Sequence, residues 1–351
     1  MKGRAIALGS TTSVIGLRDR GLTGESSIPP STQVTRAADV TPLSAPEEGA
    51  TGAASDAVQA GHPERVSLGN GGSSQPDGPV VDAASFRLDR SALLELEPTL
   101  RREWLLVNGG GVYAAGTPLG IDTRAHHGLL VAPVGSPPVP RLLLARIHET
   151  VEAGGDSYSL HTAEYHDGTI HPAGYIFLQE FRLEAGLPVW RYRCREVEIE
   201  KRLWMEPGRS TLFVDYRLLH AEGTVRMRLE PFTAHRDPQG HTQGHHDWRF
   251  GVEIDSDVCR VEAYPGATAL WLRLVGGHFA ETGLWYWGFL RRHEDGPDRL
   301  EDLYTPIVGG IALETGQSAT LVASTRREDL ETDPTASHER EVARRGLGRF
   351  R

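Results

Sequence analysis

The sequence predicts an all-β fold, a large antiparallel β-sandwich, for the second and larger part of the chain. Apolar and polar residues alternate along many short segments, and turns rich in glycine or proline separate those segments. Segments with helical periodicity are few. Because each such strand has one apolar face, two sheets packed face to face would bury all of these faces together.

Residues 1–84 differ in composition from the rest. They are poor in aromatic and long aliphatic residues and rich in Ser, Thr, Ala, Gly and Pro. Such a segment buries too little apolar surface to offset the conformational entropy lost on ordering. We therefore expect a disordered low-complexity extension over 1–84, a folded domain over 85–330, and the start of a charged helix over 331–351.

The clearest strand is predicted over residues 197–205. Val197, Ile199, Leu203 and Met205 share one face with Lys201, and mainly charged side chains occupy the other face. Residues 224–232 alternate in the same way. Further strands are predicted at 175–181, 189–193, 211–219, 248–254, 258–263, 269–274, 284–290 and 319–324.

Charge and hydropathy exclude several functional classes. The chain has 47 acidic and 37 basic residues, a net charge of −10, and no localised basic face, which argues against a nucleic-acid partner. No apolar run is long enough to span a bilayer, so no membrane partner is expected. Polar residues at 10–13 interrupt the weakly apolar start, which favours a cytoplasmic protein over a secreted one.

The two cysteines, Cys194 and Cys259, each lie within a predicted strand. Two isolated cysteines form neither a disulfide framework nor a zinc pattern, so we interpret them as buried free thiols. Four histidines and two acids share one loop, but their spacing matches no set metal pattern, and we interpret them as a solvated loop. They are His235, His241, His245, His246, Asp237 and Asp247. No metal and no cofactor is predicted.

Residues 102–133 carry the most distinctive motif, REWLLVNGGGVYAAGTPLGIDTRAHHGLLVAP. Its glycines permit tight reversals between short strands and leave polar side chains at the corners. The polar side chains are Asn108, Asp122, Arg124 and His127. A phosphate-binding loop would need Lys followed by Ser or Thr, which is missing here, so a nucleotide site is not expected.

This motif resembles the start of the N-terminal domain of bacterial and archaeal-type glycogen debranching enzymes. That family has a Glu-Trp-Leu, an Asn-Gly-x-Gly turn and a Thr-Arg-x-x-His-Gly-Leu-Leu-Val run. Three later segments resemble the family in the same order: His171-Pro172-Ala173-Gly174-Tyr175, Leu229-Glu230-Pro231-Phe232 with Arg236-Asp237, and Trp285-Tyr286 with Glu301-Asp302-Leu303-Tyr304. Val112, Ala125 and His126 depart from the family pattern, so the contacts of those side chains are not carried over.

The resemblance implies a supersandwich-like domain that precedes a helical-barrel catalytic domain. Such enzymes hydrolyse α-1,6-linked glucose at the branch points of glycogen or related α-glucans, with their catalytic acids in the barrel. We therefore expect an inactive, truncated chain whose partners are an α-glucan and a barrel, in cis or on a separate chain. The acids Asp122, Glu149, Glu164, Asp237 and Asp302 are interpreted as surface or capping residues, and no catalytic residue is assigned.

Two groups of residues are candidates for the functional face. The candidates for the substrate cleft or a domain interface are Asn108, Asp122, Arg124, His127, Arg236 and Asp237. Trp285 and Trp287, which would share a strand face with Phe289, are candidates either for sugar stacking or for core packing. The alternative functions are a free-standing α-glucan-binding or assembly module and a non-functional fragment.

Overall fold

The computed structural model describes residues 86–347, and the predicted disorder of residues 1–84 lies outside them. Two large sheets and one small sheet, all antiparallel, form a sandwich, which confirms the predicted fold class. The strands are β1 (Arg87–Asp89), β2 (Trp104–Val107), β3 (Tyr113–Gly116), β4 (Gly128–Val134), β5 (Val139–Ala153), β6 (Asp156–Ser159), β7 (Thr162–Glu164), β8 (Ile170–Ala173), β9 (Leu178–Glu184), β10 (Leu187–Cys194), β11 (Val197–Met205), β12 (Thr211–His220), β13 (Val225–Arg236), β14 (Gly251–Asp255), β15 (Val258–Glu262), β16 (Leu270–Val275), β17 (Gly277–Leu290), β18 (Leu300–Leu313) and β19 (Ser318–Ser324). The α-helices are α1 (Arg90–Leu94), α2 (Leu96–Leu100) and α3 (Pro334–Leu347), and short 3₁₀ turns lie at Gly174–Phe177, Gly296–Arg299 and Arg327–Glu331.

The first sheet has the strand order β1-β9-β10-β11-β12-β19-β16-β15-β14. The second has the order β17-β18-β13-β5-β4-β3-β2, and β6 pairs with β5. The main apolar core lies between the two sheets, where β2 packs on β10 and β11, and β4 packs on β12. A smaller apolar cluster around Phe232, Phe289 and Leu303 includes Ala163 of the small β7–β8 sheet.

The observed β11 has the predicted bounds, and β10, β12, β15, β16 and β19 match their predicted segments closely. Residues 175–177 lie in a 3₁₀ turn instead of a strand, and β14 begins only at Gly251. The long strands β5 and β18 were not predicted. Much of each is buried on both faces, so neither shows a simple apolar and polar alternation.

Helix α3, at the charged C-terminal end of the described residues, packs on the sandwich. Ser337 and Glu341 are fully buried where α3 packs on β11. The indole nitrogen of Trp204 donates to Ser337 Oγ at 3.1 Å, and Ser337 donates to Glu206 at 2.5 Å. Polar residues therefore make the contact that a search for apolar periodicity would miss.

Cys194 and Cys259 are both buried and unpaired. Burial raises the pKa of each thiol to about 12, so both are inert, protonated core residues at neutral pH. Within residues 86–347, no helix combines the length and the apolar character needed to cross a bilayer.

Candidate functional site

Three connecting segments meet at one end of the second sheet. They are residues 117–127, 237–248 and 291–299, and together we call them the loop end. The backbone amide of His293 donates to the carbonyl of Thr123 at 2.9 Å, and the amide of Ala125 donates to Glu294 Oε1 at 2.8 Å. Arg291 donates to the carbonyl of Gly240 at 3.0 Å. The three segments are thus joined by hydrogen bonds.

Glu301, at the start of β18, is the centre of a buried charge cluster beneath the loop end. Arg236 binds its carboxylate through two nitrogens, at 2.5 and 3.1 Å, and Arg291 binds the same carboxylate. Arg236 also donates to the carbonyl of Ala125 at 2.9 Å. Burial alone would raise the pKa of Glu301, but the two guanidiniums outweigh it and hold the pKa below its ordinary value.

Asp122 lies beside this cluster, and its side chain is 22% exposed. A guanidinium nitrogen of Arg146 stands 3.4 Å from its carboxylate, and another donates to the carbonyl of Gly120 at 2.8 Å. Gly120 has φ +74°, a conformation that favours glycine, so the chain can turn at this point. Burial raises the pKa of Asp122 against the opposing effect of Arg146, and Glu301 adds to the rise.

His127 is buried, whereas its neighbour Arg124 reaches the surface. The backbone amide of Thr123 donates to His127 Nδ1 at 3.1 Å, so the proton of the neutral ring is on Nε2. That nitrogen lies 3.8 Å from Glu103 Oε1, while Arg124 donates to the same oxygen at 2.6 Å. Burial lowers the pKa of His127 to about 4, so the ring is neutral at pH 7.

Glu103, His126 and His127 form the one group of three neighbouring metal-ligand side chains among residues 86–347. The donor set does not suit a metal. Because Nδ1 of His127 accepts a backbone hydrogen bond, Nε2 carries the proton and has no free lone pair for a cation. Arg124 also already neutralises Glu103.

The histidines at the end of β13 and in the 237–248 segment have separate partners. His241 pairs with Asp298 at 2.8 Å, His235 contacts the hydroxyl of Tyr264 at 3.1 Å, and His245 lies 3.7 Å from Asp247. The ring of His246 packs against Trp287.

A protein-family model described as "Glycogen debranching enzyme N terminal" matches residues 102–320. This chain belongs to that family. The match covers the four segments that carried the resemblance, so the resemblance is confirmed. A search of curated proteins found no match to this debranching-enzyme N-terminal domain.

Among solved structures, the domain is similar to three carbohydrate-active enzymes at low identity. A bacterial glucoamylase complexed with acarbose is 10% identical, with 70% of this chain and 38% of that chain covered and a TM-score of 0.32. A heparan sulfate lyase HepC mutant from Pedobacter heparinus is 10% identical, with 39% and 20% covered and a TM-score of 0.27. A putative kojibiose phosphorylase from human microbiome is 7% identical, with 60% and 26% covered and a TM-score of 0.26. This chain therefore spans only 20 to 38% of the length of these chains.

The loop end of this debranching-enzyme N-terminal domain brings together five of the six predicted polar candidates: Asp122, Arg124, His127, Arg236 and Asp237. Asp237 begins the 237–248 segment with its side chain 64% exposed, and it accepts from the amide of Gln239 at 2.9 Å. Asn108 lies apart, at the opposite end of the β2–β3 hairpin. Its side-chain nitrogen donates to the carbonyl of Arg209 at 2.6 Å and its side-chain oxygen accepts from Gly110 at 2.8 Å, so it organises a turn.

The two tryptophan candidates differ in their surroundings. Trp285 is enclosed by Trp248, Tyr304 and the backbone at Gly244, whereas Trp287 is 40% exposed and stacks on Trp285 at 5.7 Å. The expectation that Phe289 shares their face is wrong. A register shift between Tyr286 and Phe289, with Gly288 at φ +68°, turns Phe289 into the cluster that contains Phe232.

Sequence reasoning did not single out Glu103, Arg146, Arg291 or Glu301 as site residues. A signal for Arg146 is present, because it interrupts the apolar run LLLARI of β5. A charged side chain inside such a run has to find a buried partner. Arg291 directly follows β17 and Glu301 is the second residue of β18, so their pairing is evident only once these two strands are known to be neighbours.

Proposed function

We propose that this chain is the N-terminal, non-catalytic domain of a glycoside hydrolase that removes α-1,6-linked glucose from branched α-glucans. In this proposal the loop end faces the substrate and the catalytic barrel. The barrel holds the catalytic acids, either on the same polypeptide or on a separate chain. Membership of the debranching-enzyme N-terminal family supports the substrate class.

The observation that carries the role of the loop end is the Arg236–Glu301–Arg291 cluster. Charged groups are costly to bury unless they are closely paired and hydrogen-bonded. Here both arginines also bind backbone carbonyls of the 117–127 and 237–248 segments. The cluster therefore stabilises surface loops as a fixed, polar surface, which a wall of a substrate cleft requires.

Two carboxylates at the loop end, Glu301 and Glu103, suit support and not hydrolysis. Glu301 is bound by two guanidiniums and Glu103 by Arg124, so both are held as anions. Partial burial would favour protonation of Glu103, but the hydrogen bond from Arg124 lowers its pKa. A glycosidase needs one carboxyl group that can give up a proton to the leaving group.

The test is a glucose-release assay with the purified chain and a branched limit dextrin. We expect no release above the buffer control, together with retardation of the chain in a gel that contains glycogen. Measurable glucose release would contradict the non-catalytic role. Absence of both release and retardation would contradict the α-glucan partner.

A free-standing α-glucan-binding module is the second candidate, and the exposed ring of Trp287 favours it. Aromatic rings offer a flat apolar face for a sugar ring. This candidate predicts that Trp287→Ala abolishes retardation in the glycogen gel. The leading proposal predicts that Trp287→Ala weakens retardation only partly, because the other loop-end contacts are retained.

A further inference from the structure

A surface groove lies beside the loop end, between helix α2, the turn at 165–168 and the 291–299 segment. Its volume is about 540 Å³, within the range of small-molecule sites. Arg292, Glu164, His166 and Arg299 are among the side chains that line it. Of the three loop-end segments only 291–299 lines it, so the groove extends from the loop end toward α2 and the turn at 165–168.

Arg292 is held in place as a hydrogen-bond donor within the groove. Its Nε donates to Glu164 at 2.5 Å, and one terminal nitrogen donates to Glu97. The carboxylate of Glu164 is only 2% exposed, so this side of the guanidinium is anchored in the protein. The other terminal nitrogen has no hydrogen-bond acceptor within residues 86–347, while the side chain is 23% exposed.

The lining charges indicate what kind of ligand fits. Three carboxylates (Glu97, Glu164, Asp167) face three guanidiniums (Arg101, Arg292, Arg299), which makes the groove neutral overall. A strongly anionic or cationic ligand would gain little net attraction from such a lining. A neutral ligand with many hydroxyl groups could accept from the free guanidinium nitrogen and donate to the carboxylates.

An imidazole also lines the groove. The ring of His166 rests against Gly288, where an added Cβ would stand 3.3 Å from Nδ1. The side chain of His166 is exposed and lines the groove, so it can exchange hydrogen bonds with a hydroxyl group of a ligand.

We propose that this groove is an accessory binding site for an unbranched segment of the α-glucan, with Arg292 as its central donor. The proposal rests on the proposed function for the identity of the sugar. It extends the contact region from the 291–299 segment to α2 and the turn at 165–168, where it would hold one chain of a branched substrate.

The test is a titration of the full chain with maltoheptaose, followed by calorimetry, for the wild type and three variants. Arg292→Lys keeps the charge but loses the planar donor, and His166→Ala removes an exposed ring without touching the ion pairs. Arg226→Ala, an exposed arginine of β13 outside the groove, is the matched control. We expect Kd to rise about fivefold or more in the first two variants and to stay unchanged in the control.

If Arg292→Lys fails to fold, the Kd of His166→Ala alone tests the accessory site. An unchanged Kd in His166→Ala would overturn the accessory site, and so would tighter binding of inorganic phosphate than of maltoheptaose in the wild type. Failure here is distinguishable from failure of the proposed function. In the first case the gel that contains glycogen still retards the chain, and in the second it does not.

Discussion

Glu301 is enclosed by two guanidiniums, and its carboxylate has no role in hydrolysis in our proposal. A buried charge cluster of this kind contributes little to net stability compared with an apolar equivalent, yet removing one partner is costly. The arginines bind backbone carbonyls as well as Glu301, so the loss of one charge would affect several loops at once. This makes the cluster the most informative place for substitutions.

We predict that Glu301→Gln lowers the free energy of unfolding by about 3–5 kcal/mol, because two buried guanidiniums lose their counter-charge. Urea denaturation at pH 7 measures the change. Glu253→Gln is the control, since Glu253 is 72% exposed and its pair with Arg260 contributes less than about 1 kcal/mol. Equal effects in the two variants would show that the cluster does not stabilise the fold.

The buried His127 predicts that the free energy of unfolding depends on pH. Burial lowers its pKa from 6.5 in the unfolded chain to about 4 in the folded one, so the unfolded state binds a proton first as the pH falls. Stability is therefore lost below pH 6.5 and levels off near pH 4, with a total of about 3 kcal/mol from this residue. His161, whose pKa burial also lowers to about 4, adds to the loss in the same window.

The variant His127→Asn isolates this contribution, because the Asn carbonyl can accept the hydrogen bond from Thr123 and does not titrate. We expect its free energy of unfolding to fall less than that of the wild type between pH 7 and pH 4.5. Parallel profiles for the two proteins would contradict the assignment.

At the scale of elements, the sequence predicts half-buried strands well and doubly buried strands poorly. β15 and β16 alternate cleanly because one face meets the core and the other is partly exposed. β5 and β18 escape prediction because the small β7–β8 sheet and its neighbours cover part of their second face. The loop-end candidates lie in two of the segments that carry the family resemblance. Their partners Arg146, Arg291 and Glu301 depend on strand pairings that no local pattern specifies.

The bulge in β17 also depends on structure that the local pattern does not specify, and it determines the surroundings of Trp287. A strict two-residue period places Phe289 beside the tryptophans, but the extra residue near Gly288 reverses the face. Only Trp287 is thereby left as an exposed aromatic candidate at the loop end. Nothing in the local sequence except the glycine indicates the bulge.

For helix α3, we predict that Ser337→Ala lowers the free energy of unfolding by about 1–3 kcal/mol, because the Trp204 indole and Glu206 both lose a buried partner. A change in tryptophan fluorescence should accompany the loss. Thr335→Ala, at an exposed position of the same helix, should change neither quantity measurably. If both variants behave alike, α3 is not docked through Ser337.

At the scale of the whole molecule, a packed β-sandwich supports a polar loop end. The apolar core between the sheets fixes the strands, and the buried arginines fix the loops that leave them. In the proposed function this rigidity holds a branched α-glucan against a catalytic barrel, with the groove beside α2 as an additional contact. The family match supports the substrate, and the chain's own contacts support the place of binding.

The most direct test of this account is hydrogen–deuterium exchange of the purified chain with and without a branched limit dextrin. We predict slower exchange over residues 117–127 and 291–299 when the glucan is present. The hairpin turn at 153–156, between β5 and β6, should exchange at the same rate in both samples. Protection confined to regions outside the loop end, or no protection at any glucan concentration, would contradict the proposal that the loop end faces the substrate.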